Sequence, residues 1–160
     1  MKYLDKAAVI SDCGKYRYAL FRKWKESAPT VAFIGLNPST ADGETDDATI
    51  RRCVSFADSW GFGALCMLNL FAFRATDPKD MKNASDPVGP LNDSMLNHFA
   101  KLSEVRVAMW GSHGSYIGRA AAIGTKLGTL QCFKINADGS PAHPLYLPKS
   151  TELKPYEATQ

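Results

Sequence analysis

Apolar residues fall along this chain in short unbroken runs, separated by polar stretches with helical spacing. The runs are VAFIG (31–35), ALCMLNL (64–70), VRVAMW (105–110) and a weaker one over 129–135. Runs of this length suit strands buried on both faces, as in a parallel sheet. Between the first two, Ile50, Cys53, Val54 and Ala57 recur at i, i+3, i+4 and i+7 while Arg51, Arg52, Ser55 and Asp58 face away. That spacing predicts a helix, capped by Asp46 or Asp47 and ended at Gly61. Thr76-Asp77-Pro78 has the form of a cap followed by a first-turn proline. A further helix is expected over about Leu91 to Leu102, with Leu91, Met95, Phe99 and Leu102 apolar. Another, built of small residues, follows the turn 111–114 and sets Ile117, Ala120, Ala121 and Ile123 on one side. Strands alternating with single helices need right-handed crossovers. The expected class is therefore α/β: a three-layer α/β/α domain with a four-stranded parallel sheet, plus an N-terminal β-hairpin over Lys6 to Trp24 that turns at Cys13-Gly14. Residues 1–149 read as one domain, and 150–160, which lack an apolar pattern, as a loose C-terminal tail.

Composition narrows the functional classes. Of 160 residues, 19 are Lys or Arg and 16 Asp or Glu, a net charge of +3 that tolerates an anionic ligand without resembling a dedicated duplex-binding arm. No run reaches the roughly 18 apolar residues of a membrane span, and the start MKYLDKAAVI places charges where a signal peptide needs its apolar stretch. A cytoplasmic protein without membrane partners is expected. Cys13, Cys53, Cys66 and Cys132 are scattered, with no C-x-x-C pair, and read as reduced, mostly buried thiols. Lys15, Arg17, Arg22, Lys23 and Lys25 form a basic strip on the hairpin, the usual solvated edge that keeps a sheet from pairing further.

In an open parallel sheet, ligands lie beyond the carboxyl ends of the strands. The residues that follow each run are Asn37, Pro38, Ser39, Thr40 and Asp42; then Asn69, Phe71, Phe73 and Arg74; then Trp110, Ser112 and His113; and finally His143 to Leu147. Carboxamides pair with the edge of a nucleobase, and aromatic rings such as Phe71 or Trp110 cover its face. The lining thus points to a flat, neutral, hydrogen-bonding guest: a base or nucleoside. The chain has no G-x-x-x-x-G-K-[ST] loop, no G-x-G-x-x-G after the first strand and no His–carboxylate cluster with metal spacing, so no cofactor and no metal are expected. Bland readings stand beside these. Asn37-Pro38-Ser39 is also an ordinary Asx turn, Asn69 a structural bridge, His143 part of a rigid exit from the sheet, and His113 a helix cap. Arg51, Arg52 and Arg74 either meet phosphates or lie on solvated surface.

The segment Phe33-Ile34-Gly35-Leu36-Asn37-Pro38, the later Val107-Ala108-Met109-Trp110-Gly111-Ser112 and His143-Pro144-Leu145-Tyr146-Leu147 resemble three motifs of the uracil-DNA glycosylase superfamily, especially its mismatch-specific branch. More narrowly, LNPSTAD (36–42), ATIRRC (48–53), NLFAFRATDP (69–78), DPVGPLND (86–93), WGSHG and HPLYL together resemble a bacterial and phage family, domain of unknown function 1643, over nearly the whole chain. The superfamily resemblance implies a water-positioning role for Asn37, base reading by Asn69 and a donor to the base oxygen at His143. It implies N-glycosidic hydrolysis or processing of a base, ordinary or modified, in DNA or a nucleotide. A carboxamide takes no proton at neutral pH, so a general base must come from Asp42, Asp46 or Asp47; Asp42 is the one assigned. Ser39, Trp110, His113 and Arg74 complete the expected substrate contacts, and Leu145 or Tyr146 is the candidate wedge into DNA. Two rivals remain: a base- or nucleic-acid-binding module without turnover, and a small-nucleoside hydrolase with no DNA contact.

Overall fold

The computed structural model describes residues 1–158. Its order is β1 (Asp5–Ile10), β2 (Arg17–Lys23), β3 (Thr30–Gly35), α1 (Ala48–Ser59), β4 (Ala64–Asn69), α2 (Pro78–Asn83), α3 (Asn92–Lys101), β5 (Val105–Ala108), α4 (Arg119–Leu127), β6 (Leu130–Cys132) and β7 (Lys154–Tyr156). A 3₁₀ segment, Ser112–Gly118, precedes α4. The strands form one seven-stranded sheet in the order β1-β2-β4-β3-β5-β6-β7. β3 pairs parallel with β4 and β5, and β5 parallel with β6, while β1–β2, β2–β4 and β6–β7 are antiparallel. The chain is therefore α/β, with a mixed sheet. No described helix is long and apolar enough to cross a membrane.

The sheet is wider than the four-strand expectation at both ends. The hairpin is no appendage, because β2 pairs with β4 from Leu20↔Met67 to Lys23↔Ala64. The stretch read as a loose tail supplies β7, and Tyr156 packs there edge-on to Trp110 at 5.9 Å. A three-residue strand carries too little periodicity to show in the sequence, yet it covers the backbone edge of β6 that would otherwise be open.

The two faces bury separate cores. Ile50, Cys53, Val54, Phe56 and Ala57 of α1 pack with Val31, Phe33, Leu65, Met67 and Val107 on one side. Leu96 and Ala100 of α3, Ile123 and Leu127 of α4 and Met81 of α2 pack with Ala32, Ile34, Cys66 and Leu68 on the other. Alternate strand residues thus face opposite helices, as unbroken apolar runs require. α1 starts at Asp47, whose side chain accepts from the Ile50 amide, and α2 at Asp77, which accepts from the Lys79 amide ahead of Pro78.

Two helices differ from the expected facing. In α3, Leu91 and Leu102 are exposed and the buried positions are Asn92, Leu96 and Ala100. Asn92 takes the inward place because its Nδ2 donates to the Asn69 and Leu70 carbonyls, each at 3.0 Å, where β4 ends. In the stretch before α4, Ile117 lies outside the helix at φ 46° and is exposed, and Arg119 turns inward instead to donate through Nε and Nη2 to the same Leu70 carbonyl.

The basic strip on the hairpin is the largest correction. β2 is an interior strand, so two of its cations are enclosed: Arg22 has no exposed surface and Arg17 is 3% exposed. Arg22 Nε meets Asp46 Oδ1 at 2.8 Å, Nη2 donates to the Asp42 carbonyl at 2.7 Å and Nη1 to that of Phe21 at 2.8 Å. Pairing slips between Val9↔Ala19 and Ile10↔Arg17, which gives β2 an extra residue at Tyr18. Such a bulge re-aims the residue beyond it, and Arg17 reaches the same loop as Arg22, donating from Nη1 to the Ala41 carbonyl at 2.8 Å. Of the cysteines, Cys53, Cys66 and Cys132 are buried, and Cys13 is exposed in the β1–β2 turn.

Removing Arg22 strands a mostly buried carboxylate and frees the 42–46 loop. Arg22→Met is expected to lose about 3 kcal/mol in urea unfolding, with part of the loss recovered in Arg22→Met/Asp46→Asn, where no charge is left unpaired. A loss within about 0.5 kcal/mol would show that this pair does not hold the loop.

Candidate active site

Beyond the carboxyl ends of β3, β4 and β5 lies a cavity of about 310 Å³. Its apolar lining is Gly35, Leu36, Ile50, Met67, Ala75, Met109, Trp110 and Leu145, and its polar groups are Arg17, Asn37, Ser39, Asp47, Thr49, Asn69, Thr76 and His143. The backbone stays zipped past the sheet here. The Leu70 amide donates to the Gly35 carbonyl and the Phe71 amide to that of Leu36, both at 2.9 Å, and the Ala75 amide donates to Pro38 at 2.9 Å. The loops after β3 and β4 therefore leave the sheet side by side and shape one wall together.

Asn37 fixes that junction. Its Nδ2 donates to the carbonyls of Ala75 at 2.8 Å, Pro38 at 3.2 Å and Phe73 at 3.4 Å. Three carbonyls around one end of the carboxamide set its orientation and leave Oδ1 as an uncommitted acceptor. Asn69 is placed by register. It is the parallel partner of Gly35, and a Cβ at Gly35 would stand 2.9 Å from Asn69 Oδ1. Only a glycine there leaves the carboxamide its room. Asn69 is 4% exposed, and its Nδ2 is buried with no hydrogen-bond partner among the described residues.

His143 enters on the loop after β6. That loop is anchored by Arg52, whose guanidinium lies over the Phe56 ring at 4.5 Å and donates to the Leu147 carbonyl. His143 Nδ1 accepts from the Leu145 amide at 3.3 Å, which leaves Nε2 to carry the proton of the neutral ring. His143 is exposed on this loop, and partial desolvation by the residues packed around its ring lowers its pKa below 6.5, against the opposing charge of Asp47. Asp47 is the acidic residue of the lining. Its Oδ1 holds the Ile50 amide at 2.9 Å, and its charge favours the cationic forms of both His143 and Arg17. Tyr146, beside Leu145, is 99% exposed at φ 70°.

The structure brings together Asn37, Asn69, His143, Ser39 and Trp110 of the expected set. Four others stand elsewhere. Asp42 turns its carboxylate to the amides of Glu44 at 2.9 Å and Thr45 at 2.8 Å, which lowers its pKa and makes it a turn cap. Phe71 is fully buried against Tyr116, at 5.8 Å, because the chain has already left the sheet for the opposite core. His113 is exposed beside Lys82, 3.0 Å from Nδ1. Arg74 donates to the Gly14 carbonyl in the hairpin turn. In their place the site contains Asp47, read from the sequence as a cap and as one of three possible bases, and Arg17, read as surface. Among the described residues no three His, Cys, Asp or Glu side chains converge as metal ligands do.

Chemically, the cavity combines side chains that donate (Asn69, Arg17 and His143) and side chains that accept (Asn37 and Asp47) with apolar ones, the usual construction of a small-molecule site. The model of a family described as "Protein of unknown function (DUF1643)" matches residues 17–145, from the first residue of β2 to the loop of His143. No curated protein matches the chain. No solved structure matches it.

Two outcomes follow for the protein without ligand. An unpartnered buried amide is destabilising, so Asn69→Leu is expected to raise stability by about 1 kcal/mol in thermal unfolding, whereas a structural bridge at Asn69 would make the variant less stable. Because the folded pKa of His143 lies below its unfolded value, the folded state takes up its proton less readily. Stability is full above 6.5 and falls as pH drops below that value, and His143→Gln should show a flatter slope between about pH 7 and 5. An unchanged slope would mean that the imidazole is as well hydrated folded as unfolded.

Proposed function

The chain belongs to the DUF1643 family, and from that premise we propose that its cavity binds a nucleobase and hydrolyses the N-glycosidic bond that carries it, in DNA or in a nucleotide. The carrying observation is Asn69: a carboxamide enclosed at the end of β4, with its donor unpartnered, at the wall of a cavity of about 310 Å³. A buried amide that satisfies nothing in the protein costs stability, and the edge of a base offers it both an acceptor and a donor. The parallel order β4-β3-β5-β6, with the cavity at the carboxyl ends, supports the resemblance to the uracil-DNA glycosylase superfamily.

The residues divide the reaction between them. As the C1′–N bond breaks, its electron pair stays with the base and positive charge grows on the sugar. His143 Nε2–H donates to the base oxygen where negative charge develops, an interaction stronger in the transition state than in the ground state. Asp47 faces the developing cation and accepts the proton of the water that attacks C1′, while Asn37 Oδ1 accepts that water's second proton as a hydrogen bond. The departing base is then protonated from solvent.

A second reading, base binding without turnover, is favoured by the hydrogen bond that already engages Asp47 with the Ile50 amide and commits that carboxylate oxygen to capping α1. Oligonucleotides and nucleosides carrying uracil or modified bases separate the two, with alkali-labile abasic sites or released base as the readout. Turnover is expected to fall about 100-fold or more in His143→Gln and in Asp47→Asn. Base-dependent binding with no release supports the module, and release from mononucleosides alone supports an enzyme without DNA contact. Rates indifferent to both substitutions end the assignment.

A further inference from the structure

The charge distribution of the cavity goes beyond the neutral guest that the sequence suggests. Arg17 is 3% exposed and lines the cavity, yet no carboxylate lies within salt-bridge distance among the described residues. Its Nη1 is held by the Ala41 carbonyl, and its Nε is buried without a partner. The Nε–Nη2 edge, the side of a guanidinium that meets two oxygens at once, thus makes no bond to the described residues. The charges that act on it are Asp47 and Asp42, which favour its cationic form, and Arg74 and Arg22, which oppose it. Arg22 is already matched by Asp46, so the cavity lining holds in Arg17 an enclosed cation without an ion-pair partner among the described residues, with Asp47 as its opposite pole. Asn69 Nδ2 is a second enclosed donor without an acceptor in the same lining.

We infer that the natural occupant carries an oxyanion, a carboxylate or a phosphate, that seats on the Nε–Nη2 edge of Arg17, so that the guest is an acidic base or a nucleotide rather than a neutral base. This rests on the nucleobase reading for the rest of the guest and adds its charged group. A planar fork presenting two parallel N–H bonds suits a two-oxygen anion, and charge-assisted pairs are about twice as strong as neutral ones. The position follows from the fold: the bulge at Tyr18 turns Arg17 onto the loop side of β2, and the Ala41 carbonyl holds one nitrogen so that the other edge stays free.

The test is calorimetric titration of the full chain with probes that differ by one anionic group: uracil against orotate, and deoxyuridine and deoxyadenosine against their 5′-monophosphates, with inorganic phosphate alone as a further arm. At least one anionic member is expected to bind about ten-fold or more tightly than its neutral counterpart. Preference for orotate places the oxyanion on the base, and preference for a monophosphate places it on the sugar. Arg17→Gln should abolish the preference and Arg17→Lys, which keeps the charge and loses the fork, should reduce it, each first shown to unfold cooperatively. Asp47→Asn should tighten the anionic probes, since it removes a like charge. Equal or weaker binding of the anionic members by the unaltered protein overturns the inference and leaves the nucleobase reading standing. Phosphate binding that depends on Arg17, with no response to any base, keeps the anion site and removes the nucleobase. No binding by any probe overturns both.

Discussion

A guanidinium with no exposed surface, Arg22, holds the segment between β3 and α1 against the sheet by bonding Asp46 and the Asp42 carbonyl from near the end of β2. Enclosing a cation is costly unless it is paired and its N–H groups are occupied, and here they are distributed over a loop with no regular structure of its own. The loop in return hands its next residue, Asp47, to α1 as a cap. One interaction therefore sets where the helix begins, where its capping carboxylate stands and how wide the opening is between that carboxylate and the ends of β3 and β4. Arg17 adds a second hold on the same segment through Ala41.

The other wall obeys a different constraint, the in-register pairing of β3 with β4. Gly35 opposite Asn69 leaves space for a carboxamide whose Nδ2 has no partner among the described residues. Asn92 and Arg119 secure the backbone just beyond, with three donors on the Leu70 carbonyl. The Asn69 and Leu70 carbonyls and the Leu70 and Phe71 amides are thus bonded, while Asn69 Nδ2 has no partner among the described residues. A rigid frame around unpaired polar groups is what preorganised recognition requires, at some expense in stability.

Much of this architecture was legible in the sequence because it follows from periodicity. The apolar runs became β3, β4 and β5, and some of the residues at and just after their ends, Asn37, Ser39, Asn69 and Trp110, line the cavity, while Asp42, Phe71, Arg74 and His113 do not. What escaped notice depended on polar groups facing inward. Arg17 and Arg22 look like the solvated half of an alternating strand, and only the pairing of β2 with β4, a long-range event, encloses them. Asn92 reads as a surface position of α3 and displaces the expected apolar face because two orphan carbonyls at the end of β4 need a donor. Asp42, Asp46 and Asp47 are indistinguishable by composition. Each found a different partner: two loop amides, a buried guanidinium and a helix terminus.

The hairpin turn at Cys13 has a practical use. Three of the four thiols are enclosed, and the fourth sits in the open beside Ser11, with a pKa lowered by that hydroxyl. The thiolate is the reactive form towards alkylating dyes, so the unmodified chain takes a fluorophore at a single address. The neighbouring Gly14 and Lys15 carbonyls grip Arg74, one residue from the cavity wall at Ala75. A dye attached there rides on the strap that borders the pocket and would report its occupancy by a change in emission, with no engineered cysteine and no label on the ligand.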